Sequence, residues 1–218
     1  MQHLSIESMR YKGSDLKAGC DGPHAIEGQS PQAESRIRQV LIEKWRRKEK
    51  AGRRFFGEAF VTSQVAHKQG WYRSFQWLTS SRWAGVPRSS EARRMEFRAA
   101  LDKYFPHLPE LQGSSADIVK LLGVKGLATP DLWLIIRGEH HFKEVKIREA
   151  TIRADHVSPE QLAGLAVIAS CLPSKKPVRV SIVNLYSTTE RAREDVTLFR
   201  KFCHRLDRAG FSLGERKI

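Results

Sequence analysis

Three ionisable residues in the middle of the chain have the types and spacing needed to hold a divalent metal beside a phosphate. Asp131 opens an apolar run that ends at Ile136, and Glu144 and Lys146 lie two residues apart in the following run. Carboxylate oxygens are ligands that Mg²⁺ accepts while it keeps several of its waters. A metal-bound water can act as a nucleophile, and a neighbouring lysine can orient it or stabilise charge that develops on a phosphate.

The two runs are predicted to form a β-hairpin, because the residues between them suit a tight turn. A two-residue turn at Arg137-Gly138 places Asp131 opposite Glu144, and moving the turn on by one residue places Asp131 opposite Lys146. Either register gathers the three side chains on one face, since opposed positions and positions two apart share a face. An intermediate register would place Val145 opposite Asp131. Without a metal, the same residues would form a cross-strand salt bridge on a solvated face.

The elements around the hairpin are predicted to form an α/β layer with a central mixed sheet flanked by helices. Ser158 and Gln161 have the spacing of a helix capping box, and Gly210 suits the end of a final helix. The predicted elements are a helix over 89–105, a strand over 116–122, the hairpin, a helix over 158–171, a strand over 178–185, and a last helix that ends near 208.

The chain before residue 89 is predicted to form two further parts. Residues 1–33 are rich in Gly, Ser, Gln and Pro and predict a flexible arm. Residues 34–88 predict a basic, aromatic-rich and mainly helical extension, and residues 89–218 hold the hairpin domain. A predicted helix over 30–50 has a basic face, and the arginines in and just after it that we expect to contact phosphates are Arg46, Arg47, Arg53 and Arg54.

Charge is the strongest signal in the composition. The 218 residues include 38 Lys and Arg against 24 Asp and Glu, a formal net charge of +14. A folded chain this basic is expected to bind a polyanion, with nucleic acid first and an acidic membrane surface second; solubility alone is the simpler alternative. No apolar run approaches the roughly 20 residues that span a bilayer. The cysteines Cys20, Cys171 and Cys203 make no disulfide framework, which fits a cytoplasmic protein.

Pro130-Asp131 followed by Glu144-Val145-Lys146 resembles the PD-(D/E)xK nuclease superfamily. The wider stretch is similar to the VRR-NUC branch, which has a strand ending in lysine, a Gly-x-Pro-Asp-like turn, a Glu-Val-Lys strand and an Asp-x-Leu-Ser-x-x-Gln helix start. The segments that carry this order are Val119-Lys120, Gly126, residues 129–132, residues 142–146 and residues 155–161. The resemblance covers residues 89–186 and implies a restriction-endonuclease-like core. Val157 stands where leucine is usual, and the loop over 147–154 is longer than the common form.

The resemblance also implies a role for each residue of the cluster. Asp131 and Glu144 would bind Mg²⁺ or Mn²⁺ together with the carbonyl of Val145, and Lys146 would be the catalytic lysine. Gln161 would lie at the edge of the site, although its amide could serve only the helix cap. A glutamate from the helix before the first strand would complete the site, and the candidates are Glu96, with Glu91 and Glu34 as alternates.

Together these features predict a Mg²⁺- or Mn²⁺-dependent DNA endonuclease that acts in repair, recombination, transposition or restriction. Lys120, Lys125 and Arg148 are further predicted phosphate contacts. RNA as a substrate, a homodimer and a partner protein in a larger complex all stay open. One alternative is a non-catalytic DNA-binding subunit of a nucleoprotein assembly. Another is a basic scaffold protein in which the hairpin cluster is ordinary salt bridging.

Overall fold

A computed structural model describes residues 3–10, 25–26, 56–67, 69–72, 76–79, 91–148, 156–172, 174, 176–186 and 196–211. These residues form six strands and six helices. The strands are β1 (Leu4–Arg10), β2 (Ala25–Ile26), β3 (Gln69–Tyr72), β4 (Leu132–Ile136), β5 (Glu139–Arg148) and β6 (Val178–Tyr186). The helices are α1 (Phe56–Gln64), α2 (Glu91–Tyr104), α3 (Leu108–Gly113), α4 (Ser115–Leu122), α5 (Pro159–Cys171) and α6 (Val196–Arg208).

The strands form one mixed sheet in the order β1-β6-β5-β4-β3-β2. Strands β1, β6 and β5 run parallel to one another, whereas β5, β4, β3 and β2 are joined by antiparallel pairing. Helix α5 connects the parallel strands β5 and β6, as a crossover between parallel strands requires. Strand β5 carries Glu144 and Lys146 and is internal, so neighbours on both sides fix its position. The predicted α/β class with a mixed sheet is confirmed.

Helices pack on both faces of the sheet and form two cores. The larger core lies between one face and the helices α2, α4, α5 and α6, and its strand residues are Leu4, Trp71, Trp133, Ile135, Phe142, Val180 and Ile182. The smaller core lies between the other face and α1, and its members are Val61, Leu132, Leu134, Val145, Val183 and Leu185. Because side chains alternate along a strand, Glu144 and Lys146 lie on the face of the larger core.

The hairpin has the first of the predicted registers. Leu132 pairs with Lys143, and the pairing continues to a two-residue turn at Arg137-Gly138. The φ angles of these turn residues are +50° and +85°, as in the type I′ turn, whose twist matches that of the flanking strands. Extending the pairing by one residue places Asp131 across from Glu144.

Several other predicted elements are confirmed. Helix α2, helix α5 and strand β6 lie where the sequence predicts them, and α6 ends at Arg208 with Gly210 just beyond it at a φ of +74°. The sequence predicted no element at the short helix α3, where Pro109 lies in the first turn. Proline suits that position because the first turn of a helix has no use for its missing N–H.

The predicted strand over 116–122 is wrong, because Ser115–Leu122 is helix α4. Ile118 and Leu122 are both buried and lie four residues apart, which is the spacing of one helix face. Gly123 follows the last turn at a φ of +70° and ends the helix in a left-handed conformation. The lysine-terminated strand that the resemblance required at this place is therefore a helix, and Lys120 lies on it.

The predicted flexible arm over 1–33 is wrong for Leu4–Arg10, which forms strand β1 beside β6. This strand also has a charged contact with the hairpin. Lys143 is 3% exposed, and its ammonium is bonded to the carboxylate of Glu7 and to the Ser181 hydroxyl at 3.2 Å. Strand β1 alternates buried and more exposed residues and is only seven residues long, so its apolar signal is weak.

The segment predicted as a mainly helical extension also contributes to the sheet structure. Strand β3 pairs with β4, and Trp71 and Trp77 belong to the larger core. Helix α1 packs on β5 so closely that a Cβ added at Gly57 would lie 2.9 Å from Val145 Cγ1. The predicted helix over 30–50 and the arginines at 46, 47, 53 and 54 lie outside the described residues. Within the described part of the chain, no helix has the length and apolar character needed to cross a membrane.

Candidate active site

The candidate site is a polar cluster where β4 begins, on the sheet face that otherwise forms the larger core. Asp131 precedes β4 and is partly exposed, while Glu144 and Lys146 on β5 are 1% and 4% exposed. Lys146 Nζ lies 3.3 Å from Glu144 Oε1. The predicted gathering of these three residues on one face is thus present in the structure.

Glu144 is the centre of the cluster. Its Oε1 faces Lys146 and also accepts a hydrogen bond from Gln161 Nε2. Burial raises the pKa of Glu144 well above its usual range, and the charge of Asp131 raises it further, while Lys146 opposes the shift. A hydrogen bond between the two carboxyl groups also favours the protonated form of Glu144. Asp131 and Glu144 are therefore close enough to share one proton or one cation.

Asp131 is positioned by the backbone of the opposite strand. Its Oδ2 accepts a hydrogen bond from the N–H of Val145 over 3.0 Å. This contact continues the hairpin pairing beyond the first residue of β4. It also brings Asp131 to the residue whose carbonyl the sequence resemblance assigns to a metal.

Gln161 caps a helix and also contacts the carboxylate cluster. Its side-chain oxygen accepts from the Ser158 N–H over 2.9 Å, and its own N–H donates to the Ser158 hydroxyl, which completes a capping box. At the same time its amide nitrogen donates to Glu144. One side chain therefore joins the start of α5 to the buried carboxylate of β5.

The loop that carries Asp131 is held against α5 by a close backbone contact. Ala128 N donates to the carbonyl of Glu160 over 3.0 Å. A Cβ added at Gly164 would lie only 1.8 Å from Ala128 O, so the loop crosses the helix where a side chain is missing. The position of Asp131 thus depends on a glycine that the sequence did not single out.

Two of the predicted phosphate contacts lie on other elements. Lys120 is exposed on α4, and Lys125 is exposed in the loop that follows it. Hydrogen bonds from its own backbone N–H, from the Ser158 side chain and from the backbone N–H of Lys125, together with the charge of Lys125, hold the pKa of Glu160 below its usual range. Lys125 therefore lies at the start of α5. Both are available to a bound polyanion, but neither is among the contacts of the carboxylate cluster.

The third predicted phosphate contact, Arg148, extends the cluster along β5. It is 6% exposed, and its Nε donates to Asn184 Oδ1 over 2.8 Å. Asn184 is fully buried and is the register partner of Lys146. Asn184 is not among the predicted site residues, although a single amide in the run Ile182-Val183-Asn184-Leu185 is a signal of a buried polar contact.

A third acidic ligand is predicted from the helix before the first strand. Glu96 and its alternate Glu91 lie on α2, but their side chains fall outside the description, as does all of Glu34. The residues 116–122 that follow α2 form helix α4 and not the predicted first strand. Helix α1 precedes strand β3 and carries Glu58, but it packs on the sheet face opposite Glu144 and Lys146.

The donor set suits a small divalent cation. Carboxylate and carbonyl oxygens are the ligands that Mg²⁺ and Mn²⁺ prefer, and two carboxyl groups in contact favour a cation between them. Among the described residues, no three His, Cys, Asp or Glu side chains converge in a way that could hold a metal. A cation here would be held by Asp131, Glu144 and, as the resemblance implies, the Val145 carbonyl, a ligand number that suits a cation that keeps several waters.

Comparison with known proteins adds no relative. No protein-family model matches the chain, and neither the search of curated proteins nor that of solved structures found a match.

Proposed function

We propose that the protein is a metal-dependent nuclease that hydrolyses DNA phosphodiester bonds. The observation that carries this proposal is the single cluster in which Asp131, Lys146 and Gln161 all contact Glu144. Two carboxylates and a lysine beside them are the side chains that metal-assisted attack on a phosphate needs. The net charge of +14 supports a polyanionic substrate.

The element order supports assignment to the PD-(D/E)xK superfamily and its restriction-endonuclease-like core. An antiparallel set of strands, β3, β4 and β5, is followed by α5 and then by β6 parallel to β5. The two motif segments lie on the central hairpin of this arrangement. The VRR-NUC branch remains the more specific proposal, supported by Gln161 at the start of the helix that follows the hairpin.

Each residue of the cluster has a chemical role in this proposal. The carboxylates of Asp131 and Glu144 and the carbonyl of Val145 would hold Mg²⁺ or Mn²⁺. When bound, such a cation supplies Lewis acidity toward a phosphoryl oxygen and lowers the pKa of a bound water. Lys146 donates a hydrogen bond to the attacking water or to the phosphate oxygens, and Gln161 keeps Glu144 oriented.

The proposal is tested by a cleavage assay with Mg²⁺ and Mn²⁺ on linear, flapped, junction and single-stranded DNA, with RNA as a separate arm. We expect Lys146→Ala to abolish cleavage and to leave DNA binding largely intact. Lys143→Met is the matched control, since Lys143 lies on the same strand with its side chain on the opposite face, bonded to Glu7. Circular dichroism checks that both variants fold. Full cleavage by Lys146→Ala would refute the assignment.

A non-catalytic DNA-binding subunit is the second candidate. It is favoured by the pairing of Glu144 with Lys146, because the buried ammonium of Lys146 then has a carboxyl partner without any bound metal or substrate. DNA binding without nicking on every substrate, with either metal, would select this alternative over the nuclease.

A further inference from the structure

Arg148 and Asn184 place a second set of hydrogen-bond donors beside the candidate active site. Arg148 follows Lys146 by two residues on β5, and Asn184 is paired with Lys146 across the β5–β6 register. All three side chains therefore lie on the same face of the sheet. The 2.8 Å bond from Arg148 Nε to Asn184 Oδ1 holds the guanidinium next to the amide.

Asn184 has an unsatisfied donor in this position. The residue is 0% exposed, and its Nδ2 has no hydrogen-bond partner anywhere in the described structure. The bond from Arg148 identifies the acceptor end of the amide, so the free end is the NH₂ group. A buried donor left without a partner costs about 1–3 kcal/mol, and such groups are expected where a ligand supplies the partner.

An oxyanion is the ligand that these donors suit. The guanidinium has a fixed fork of donors that matches a phosphate, and the adjacent amide NH₂ adds a neutral donor. Residues two apart on a strand are separated by roughly 6.6 Å. Arg148 therefore lies one such step from Lys146, a spacing comparable to that between successive phosphates of a nucleic-acid strand.

We propose that Arg148 and Asn184 bind the phosphate that neighbours the scissile one. The proposal rests on the proposed nuclease function, and it adds a requirement for the substrate. The Glu144–Lys146 end of the cluster binds the phosphate that is cleaved, and the Arg148–Asn184 end binds the next phosphate on the same strand. The enzyme then requires a strand that continues past the cleaved bond by at least one phosphodiester.

The first test measures binding without added metal. Isothermal titration compares a thymidine trinucleotide, which has two phosphodiesters, with a dinucleotide, which has one. We expect the wild-type protein to bind the trinucleotide about tenfold more tightly, as one good charged contact allows. Asn184→Asp keeps an oxygen for Arg148 and removes the donor, and Arg148→Gln removes the guanidinium. Both variants should reduce the ratio toward one.

The matched control is Arg179→Gln on β6. Arg179 is 61% exposed and pairs with Glu139 at 2.5 Å, at the other end of the hairpin. This variant removes the same side-chain charge away from the site and should keep the wild-type ratio. An unchanged ratio in both Asn184→Asp and Arg148→Gln would overturn the proposal, and equal loss in the control would do so as well.

The second test measures cleavage of DNA that carries one methylphosphonate, which replaces a charged phosphate by a neutral group. The wild-type enzyme should cut the bond beside the modification at least tenfold more slowly, on one side only. Asn184→Asp should cut more slowly overall and should lose this local difference; retention of the difference would contradict the proposal. If the wild-type protein cleaves no DNA but keeps the trinucleotide preference, the nuclease function fails and the phosphate subsite stands.

Discussion

Gly164→Ala should displace the loop that carries Asp131 and lower both stability and activity. The new Cβ would lie 1.8 Å from Ala128 O, and real Cβ contacts stay beyond 3.0 Å, so the carbonyl must move by about 1.2 Å. Ala128 O belongs to the backbone, so it cannot move aside by a side-chain rotation. Overpacking of this kind costs about 1–3 kcal/mol. Alanine recovers about 1 kcal/mol through its helix propensity, which leaves a net loss of up to about 2 kcal/mol.

The effect on cleavage should be larger than the effect on folding. Asp131 lies three residues after Ala128, and a misplacement of about 1 Å at a catalytic group costs on the order of 100-fold in rate. Urea unfolding measures the first quantity, and cleavage rate at saturating DNA measures the second. The loss of the bond from Ala128 N to Glu160 O should appear as faster amide exchange at Ala128.

Gly126→Ala is the matched control for this variant. Gly126 lies in the same loop, and a Cβ there would meet nothing within 4 Å. The control should unfold at the wild-type urea concentration or slightly above it, because alanine restricts the unfolded chain. Wild-type stability and cleavage in Gly164→Ala would show that the loop adjusts freely, and the reasoning about Asp131 would be refuted.

Three further predictions concern Gln161, His140 and the acidic residue that is predicted to complete the site. Gln161→Ala should slow cleavage at least tenfold, because it removes the contact with Glu144. It should also reduce stability by about 1 kcal/mol, because it removes half of a capping box. A loss of stability without slower cleavage would show that Gln161 only caps the helix. Burial, and then nearby positive charges, lower the pKa of His140 to about 4, and its Nδ1 accepts from Trp133 Nε1 at 3.1 Å. As the pH falls below about 6.5, the unfolded chain therefore binds a proton at His140 before the folded protein does, and the free energy of unfolding decreases by up to about 1.4 kcal/mol per pH unit until about pH 4. Urea unfolding at about pH 7 and about pH 5 should show a smaller decrease in His140→Gln than in the wild-type protein. An equal decrease in both would disprove the role of His140. Glu96→Gln should weaken Mn²⁺ binding measured by calorimetry more than Glu58→Gln does, because α2 packs on the sheet face of Glu144 and α1 packs on the opposite face; the reverse order would move the role to α1.

The hairpin could be predicted because its information is local. An arginine and a glycine between two apolar runs specify a two-residue turn, and the turn sets the register that brings Asp131 to Glu144. The capping box at Ser158 is equally local, since its donor and acceptor are three residues apart. Alternation then places Lys146 on the same face as Glu144 without knowledge of any other element.

Features that depend on distant parts of the chain could not be predicted in this way. Residues Leu4–Arg10 form a strand because β6 pairs with them, whereas their own alternation of apolar and polar residues is weak. The contact of Asn184 with Arg148 needs the β5–β6 register, which no local spacing reveals. The segment Ser115–Leu122 contains a short apolar run, a pattern that fits either a strand or a buried helix. The burial of Ile118 and Leu122, four residues apart, identifies it as a helix.

The pairing of β1 with β6 has a consequence for how the chain folds during synthesis. Leu4 pairs with Val180, so one edge of the sheet is completed only after most of the chain has left the ribosome. Contacts between residues so far apart in sequence close slowly. Until then β1 has no partner strand, and the bond between Glu7 and the ammonium of Lys143 cannot form within the finished sheet. We expect a chain trimmed of β1 to have an unpaired β6 edge and to be prone to aggregation through it, although every residue of the hairpin cluster is present.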